Sequence, residues 1–581
     1  MPEPPDDPTA EESLEGHEIQ GNIIAGFNKD HQVFLFLRIE RDGAGQTSKP
    51  VVSAVKAWLR SLAPQISSLS EVHRFNELFR ALRARLGRDP QGLCATWMNI
   101  AFSRAALEIL TSTEEVTEFT DSFFQAGLAE TSSDLGDPTD ESAEGHPNRW
   151  VVGGPQNPAD ILVLVASDSA TALAERIAQL KATLTQATDS ATGVPISAAL
   201  RIVWEEGGNT LPAPLTGHEH FGFKDGISQP GVRGLLRRSP VKYVTPRLID
   251  PVVSPQPDPT KPEFARPGQP LVWPGQFVFG YKPQNRNDAR KPLNDVMMSC
   301  PAWAKNGSYL VFRRLRQDVK AFQDFVVAES TRLAAIPGFE GMTPKKLASK
   351  MVGRWPGGAP LPRSATAENE DLGNDGFANN YFQFAESSPP PLSLRPEAGY
   401  SGDSFTLSTR DPSGATCPLS AHVRKVNPRD IITDQGNSQD VLTRLILRRG
   451  IPFGPPYSGE LGAAPGAAPL STGEISPQRG LVFVSYQTSI ENQFAFLQKN
   501  WANDPRFPNA AGGADPIIGQ GSEEQQRHRF FDVPPIGKPP ATLELAKEWV
   551  IPTGGGFFFS PSISAISNVL GRPMDPFPSP G

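Results

Sequence analysis

Few residue types in this chain can carry redox or acid–base chemistry, and they are concentrated. Eight histidines occur, at positions 17, 31, 73, 146, 218, 220, 422 and 528. His218 and His220 precede Gly222-Phe223-Lys224-Asp225-Gly226, where two glycines bracket an acid on a tight turn. Such a turn lets the backbone at Gly226 approach a flat or bulky ligand and aims the Asp225 carboxylate at it. The alternative for the same residues is an Asx-stabilised loop with Asp225 in water. His422 lies in CPLSAHVRKVNPRD. The alternation from Ala421 to Val426 predicts an extended segment with His422, Arg424 and Val426 on one face. An imidazole beside a guanidinium suits iron binding, with Arg424 neutralising an anionic group such as a propionate; a structural histidine is the plainer reading. Arg448-Arg449-Gly450 closes a short apolar run, and a buried guanidinium calls for an anion, whereas two arginines on a surface turn call for nothing. Spacing alone also permits a non-haem iron or zinc site at His218, His220 and Asp225, since residues i and i+2 of a strand share a face.

The elements that must position these groups follow a repeated theme. Gln32–Glu40, Thr96–Phe102, Asp160–Ala166 and Arg201–Trp204 read as strands. Helices are predicted over 51–62, 71–86 (before the second strand) and 169–184 (after the third). Beyond Thr245–Pro270, which holds eight prolines and marks the candidate boundary, the theme returns. Phe277–Tyr281 reads as a strand, Ser308–Leu315 leads into a helix over 317–333, and Gly480–Gln487 leads into a helix over 489–501. This suggests a structural duplication without detectable self-similarity. The segments 387–402 and 463–471 read as surface loops.

Composition narrows the function classes. The 59 prolines and 52 glycines among 581 residues exceed typical shares of about 5% and 7% and imply long ordered loops rather than a coiled coil or solenoid. A net charge of −8 with no Lys/Arg cluster argues against nucleic-acid binding. Cys94, Cys300 and Cys417 are odd in number and widely spaced, suggesting neither a disulfide framework nor a cysteine metal site. Six acids precede Gly16 and no Lys or Arg precedes Lys29, the reverse of a secretory leader. No apolar run approaches the roughly 18 residues of a membrane helix. A cytoplasmic location is expected, with no membrane partner.

Taken together, the segments resemble the dye-decolourising peroxidase family. The resemblance rests on Gly222-Phe223-Lys224-Asp225-Gly226 as a GxxDG motif, on His422-Val423-Arg424 followed by Asn427-Pro428-Arg429, and on Arg448-Arg449-Gly450. Supporting segments are Gln20–Ile23, Asn306–Val311, Gly480–Gln487 and Phe557–Pro561. They span almost the whole chain, and its length resembles the larger members. The resemblance implies an α+β fold of two ferredoxin-like domains, each an antiparallel-rich sheet covered by helices, with haem in the C-terminal half. The expected organisation is an acidic flexible tail (1–18), an N-terminal ferredoxin-like domain ending with the GxxDG segment (19–235) and a C-terminal haem-binding domain (236–581).

Carried over residue by residue, the resemblance implies one haem b per chain with His422 as axial ligand, Asp225 as distal acid, Arg448 as distal arginine and Arg424 on a propionate. Gly226 would lie against the cofactor, and Leu481 and Phe483 would shape the peroxide cavity. Asp504 and Asp515 are alternative hydrogen-bond partners for His422. Hydrogen peroxide and organic donors such as dyes or phenols are the expected substrates. A carboxylate base with pKa about 3.9 works at lower pH than an imidazole at about 6.5, so an acidic optimum on dyes is expected. Bulky donors would need surface aromatics, for which Trp501 and Tyr457 are candidates. The competing readings are a haem-handling protein with incidental turnover and the metal site at His218 and His220.

Overall fold

β-Branched and aromatic runs form β1 (His31–Ile39), β2 (Thr96–Phe102), β3 (Ile161–Ser167) and β4 (Leu200–Asn209). Between β1 and β2 lie α1 (Lys49–Leu62) and α2 (Leu69–Leu86). A capping box of Ser68 and Glu71 opens α2, and Gly87, at φ 66°, closes it. α3 (Ala170–Gln186) connects β3 to β4. The second half runs through β5 (Ser308–Gln317), α4 (Val319–Ala334), α5 (Pro344–Val352), β6 (Leu447–Arg448), β7 (Ile451–Phe453), β8 (Gly480–Gln487) and β9 (Val550–Ser560). After β8, Ser489 caps two π-helical segments, Ile490–Ala495 and Leu497–Ala502, where the sequence predicts a single regular helix.

This computed structural model describes residues 11–88, 90, 92–237, 243–246, 264–266, 268–296, 299–376, 378–385, 410–433, 439–457, 478–509, 512–534 and 539–574. The loops read at 387–402 and 463–471, residues 1–10 of the acidic tail and most of the 245–270 stretch lie outside them.

The nine strands form one antiparallel sheet, ordered β6 and β7, β8, β5, β9, β2, β3, β1, β4. Each half runs β-α-β-β-α-β, and in each the strands lie in the spatial order second, third, first, fourth, the ferredoxin-like arrangement. Topology thus displays the duplication that residue identity does not. The halves join where Phe559 pairs with Phe102. The sheet also curls until its free edges meet: a side chain at Gly208 in β4 would come within 2.3 Å of Ile451 Cγ2 in β7. Phe34, Phe36, Phe312 and Phe558 fill the interior, with Phe36 and Phe312 rings 4.8 Å apart. The outer face carries the helices. Among the described residues no helix is long and apolar enough to cross a membrane.

Three expectations are corrected. Residues 11–18 are not a loose tail: Ser13–Leu14 pairs in parallel with Leu235–Leu236, and Leu14 and Ile19 are fully buried. Phe277–Tyr281 is not a strand. The amides of Phe277 and Val278 both turn back to the Pro274 carbonyl, so they cannot enter a ladder. The segment around His422 is a short helix, α6 (His422–Lys425), rather than an extended run.

Candidate active site

The Asp225 loop is a tight hairpin. Glu219 N–H donates to the Phe223 carbonyl and Asp225 N–H to that of Gly217. Gly222 and Gly226 sit at φ 93° and 77°, a region that any Cβ penalises. The Gly226 amide donates to Asp225 Oδ1 at 2.6 Å, setting the carboxylate at the lip of a cavity. Behind the hairpin, the Glu219 carboxylate accepts from the Phe221 and Phe223 amides at 2.8 and 2.9 Å and from Gln317 Nε2 at 2.5 Å. Burial outweighs these donors and pushes Glu219 up to about 7.

Arg448 reaches the same cavity from β6. Its Nη1 stands 3.6 Å from Asp225 Oδ1. Gln229 pins strand to loop, accepting from Arg448 N–H at 3.3 Å and donating to its carbonyl at 3.1 Å. Arg449, the next residue, points away and holds the carbonyls of Asn22, Ile23 and Ile24. Leu481 and Phe483 alternate onto the outer face of β8, where Leu315 and Arg313 of β5 pair with them, and all four line the cavity.

His422 lines the cavity from α6. Its Nδ1 lies 2.8 Å from Asp515 Oδ2, which leaves Nε2 as the free ring nitrogen. Asp515 is fully buried, and its other oxygen accepts from the Ile517 and Ile518 amides at 2.8 and 3.0 Å. Asp504 instead binds Arg506. Burial pulls the imidazole down, but the neighbouring Asp515 charge and hydrogen bond override it and leave His422 raised.

Several sequence-derived placements fail. Arg424 is fully buried away from the cavity, donating to Asp411, to the Cys417 and Pro412 carbonyls, and stacking on Phe384. A helical turn separates i from i+2 by about 200°, so it cannot share the His422 face. Trp501 is 1% exposed and stacks on Phe507, so it is no surface residue. Tyr457, by contrast, stays partly exposed, with the Arg479 guanidinium over its ring. His220 Nε2 is bound to the Phe453 carbonyl at 2.9 Å, His218 Nδ1 to the Thr216 carbonyl, and no grouping of three metal-ligating side chains occurs among the described residues.

The cavity also gathers residues that the sequence reading left unassigned. Arg354 donates to the Gly358 and Asn379 carbonyls, and Arg429 to those of Asn380 and Phe382. Burial lowers both to about 9, and among the described residues neither has a carboxylate within 4.0 Å. Arg429 belongs to the quoted Asn427-Pro428-Arg429 run, and its φ of 56° is unusual for a side-chain-bearing residue. Arg354, in MVGRWPGG, carries no local signal.

This donor set fits a haem. One free imidazole nitrogen can take an iron, apolar walls from Leu481, Phe483, Val423 and Val426 suit a porphyrin, and two guanidiniums lacking acids, the buried Arg354 and the half-buried Arg429, suit two propionates.

Comparison with known proteins bears on the whole chain and its fold. A model of the DyP dimeric alpha+beta barrel domain matches residues 18–196. A dye-decolorizing peroxidase of Mycetinis scorodonius is 30% identical over 559 residues, covering 95% of this chain and 87% of that protein. One from Exidia glandulosa is 30% identical over 575 residues, covering 97% and 89%. Among solved structures, an ancestral D-type dye decolorizing peroxidase aligns with TM-score 0.69 at 29% identity, over 96% of this chain and 99% of that one. The fungal DyP-type peroxidase of Auricularia auricula-judae aligns with TM-score 0.66 at 26% identity, over 96% and 99%. Similarity that covers at least 95% of this chain and at least 87% of each of these relatives is that of a whole chain rather than a shared module: the chain belongs to the dye-decolorizing peroxidase family.

Proposed function

We propose that this peroxidase holds one haem b per chain through His422 Nε2, with Asp225 and Arg448 activating hydrogen peroxide and dyes or phenols as donors. The observation that carries the reading is the convergence of two couples, His422 with Asp515 and Asp225 with Arg448, on one cavity. When bound, haem supplies the iron that accepts oxidising equivalents from peroxide and passes them to donors. Asp225 accepts a proton from one peroxide oxygen and returns it to the other, which departs as water. Arg448 opposes the negative charge that grows as the O–O bond lengthens. Leu481 and Phe483 keep the space above the cofactor small and dry. Arg354 and Arg429 hold the propionates, the role that Arg424 cannot fill from its buried place. Gly226, at a φ of 77° on the cavity wall, would leave room for the cofactor where a side chain would intrude.

Asp515 orients the imidazole and raises its basicity. Tyr457 is the remaining candidate for oxidising bulky donors at the surface. The units assigned are 19–235 and 236–581, with the cavity lined mainly by the second and completed from the first by Leu135, Asp137 and the Asp225 loop.

The test is the visible spectrum of the haem-supplied protein before and after one equivalent of hydrogen peroxide, for wild type and His422→Ala. A Soret band that shifts with peroxide in wild type, and is altered before peroxide in the variant, supports the assignment. Haem bound without any response to peroxide would instead favour a haem-handling role.

A further inference from the structure

Behind the His422–Asp515 couple stand two buried cations without acids of their own. Lys425, on α6, is fully buried, and its Nζ donates only to the Asp504 and Phe507 carbonyls, at 2.8 and 2.7 Å. Arg529 is 4% exposed and donates to the Asp515 and Lys547 carbonyls, at 2.9 and 3.0 Å, while its Nε has no partner. Among the described residues neither cation has a carboxylate oxygen within 4.0 Å. Asp504 is engaged with Arg506, and Glu548, which accepts from the Gly521 amide, shares its charge between Arg529 and Arg527 from beyond ion-pair distance of Arg529. Asp515 is the acid whose charge is felt by both.

A buried cation without an ion-pair partner is costly, because its desolvation is repaid only by neutral hydrogen bonds. Two such cations flanking one carboxylate therefore ask for a reason beyond packing. A carboxylate on imidazole Nδ1–H draws the proton toward itself and makes Nε2 a stronger donor. Positive charge behind that carboxylate, in a low-dielectric surrounding, draws its electron density the other way.

We propose that Lys425 and Arg529 act through Asp515 as a cationic backing that restrains electron donation by His422 and so sets the reduction potential of the bound haem upward. The proposal rests on the reading of His422 as iron ligand.

The experiment compares the ferric/ferrous midpoint potential and the ferrous iron–imidazole stretching frequency of haem-loaded wild type, Lys425→Gln, Arg529→Gln and Arg529→Lys. An amide can still donate to the carbonyls, so charge is the main change. The expected result is a lower potential and a higher stretching frequency in both glutamine variants, wild-type values in Arg529→Lys, and an opposite shift in Asp515→Asn. Wild-type potential and frequency in folded, haem-loaded glutamine variants would overturn the backing while leaving His422 as ligand. Iron–imidazole coordination that survives His422→Ala would overturn the ligand assignment, and this inference with it. Should Lys425→Gln not fold, the two Arg529 variants decide the matter.

Discussion

Arg448, the last residue of β6, and Arg449, just beyond it, are neighbours in sequence and opposites in use. One faces Asp225 across 3.6 Å, and the other ties β6 to the carbonyls at 22–24. Asp225→Asn is expected to lower peroxide-dependent turnover by about 10²–10⁴-fold while the haem-loaded protein keeps its resting Soret band, as rapid-mixing absorbance would show. Glu219 and His220, one residue apart, respond to pH with opposite sign. Burial raises Glu219 to about 7 from 4.5 and lowers His220 to about 4 from 6.5. Between pH 4.5 and 7 the folded chain keeps a proton on Glu219 that the unfolded chain has released, so that contribution falls as pH rises. Between pH 4 and 6.5 the unfolded chain binds a proton at His220 that the folded chain refuses, so that contribution grows with pH. Removing the first slope by Glu219→Gln should make stability, relative to wild type, climb from pH 4.5 to 7, on the order of 2 kcal/mol in total. Urea unfolding at a series of pH values measures it, and a flat difference would refute the buried-acid reading.

Local elements explain why some residues were legible and others were not. The GxxDG loop was readable because a positive φ selects glycine at two positions, and that requirement is written in residue type. The His422 segment misled because its apolar and polar residues alternate over too few positions to separate a period of 2 from one of 3.6. As α6 is helical, Arg424 turns into the protein and clamps the 411–417 loop through Asp411, Cys417 and Pro412. Arg424→Met leaves Asp411 buried without its cation and is expected to cost about 3–5 kcal/mol, read as a fall in the denaturation midpoint. The haem spectrum of the folded fraction should not change, since no part of Arg424 lines the cavity. The choice between Asp504 and Asp515 lay beyond sequence because both are acids at similar distance along the chain; the turn at 515–518 decided it by donating two amides to Asp515.

At the scale of the molecule, one sheet serves both halves. Arg314 in β5 meets Glu206 in β4 at 2.5 Å, and its guanidinium lies over the Phe453 ring of β7 at 4.1 Å, so the closing edges share a buried ion pair. Glu206→Ala strands Arg314 and should destabilise by about 3–5 kcal/mol. Because the two main apolar clusters, inside the sheet and under its helices, draw on both halves, calorimetry should show one unfolding transition rather than two; separate transitions would mean the halves fold apart. The sequence alone determined the four strands and three long helices of the first half, β5, α4 and β8 of the second, and the glycine-bracketed acid, histidine and arginine that line one cavity, because backbone conformation and side-chain chemistry are local properties. Tertiary structure alone decided which arginines face the cavity, which acid meets His422, that Trp501 is interior and that the sheet closes on itself. Each of those depends on which distant segments come within a few ångströms, and no period or motif within a segment encodes its partner across the fold.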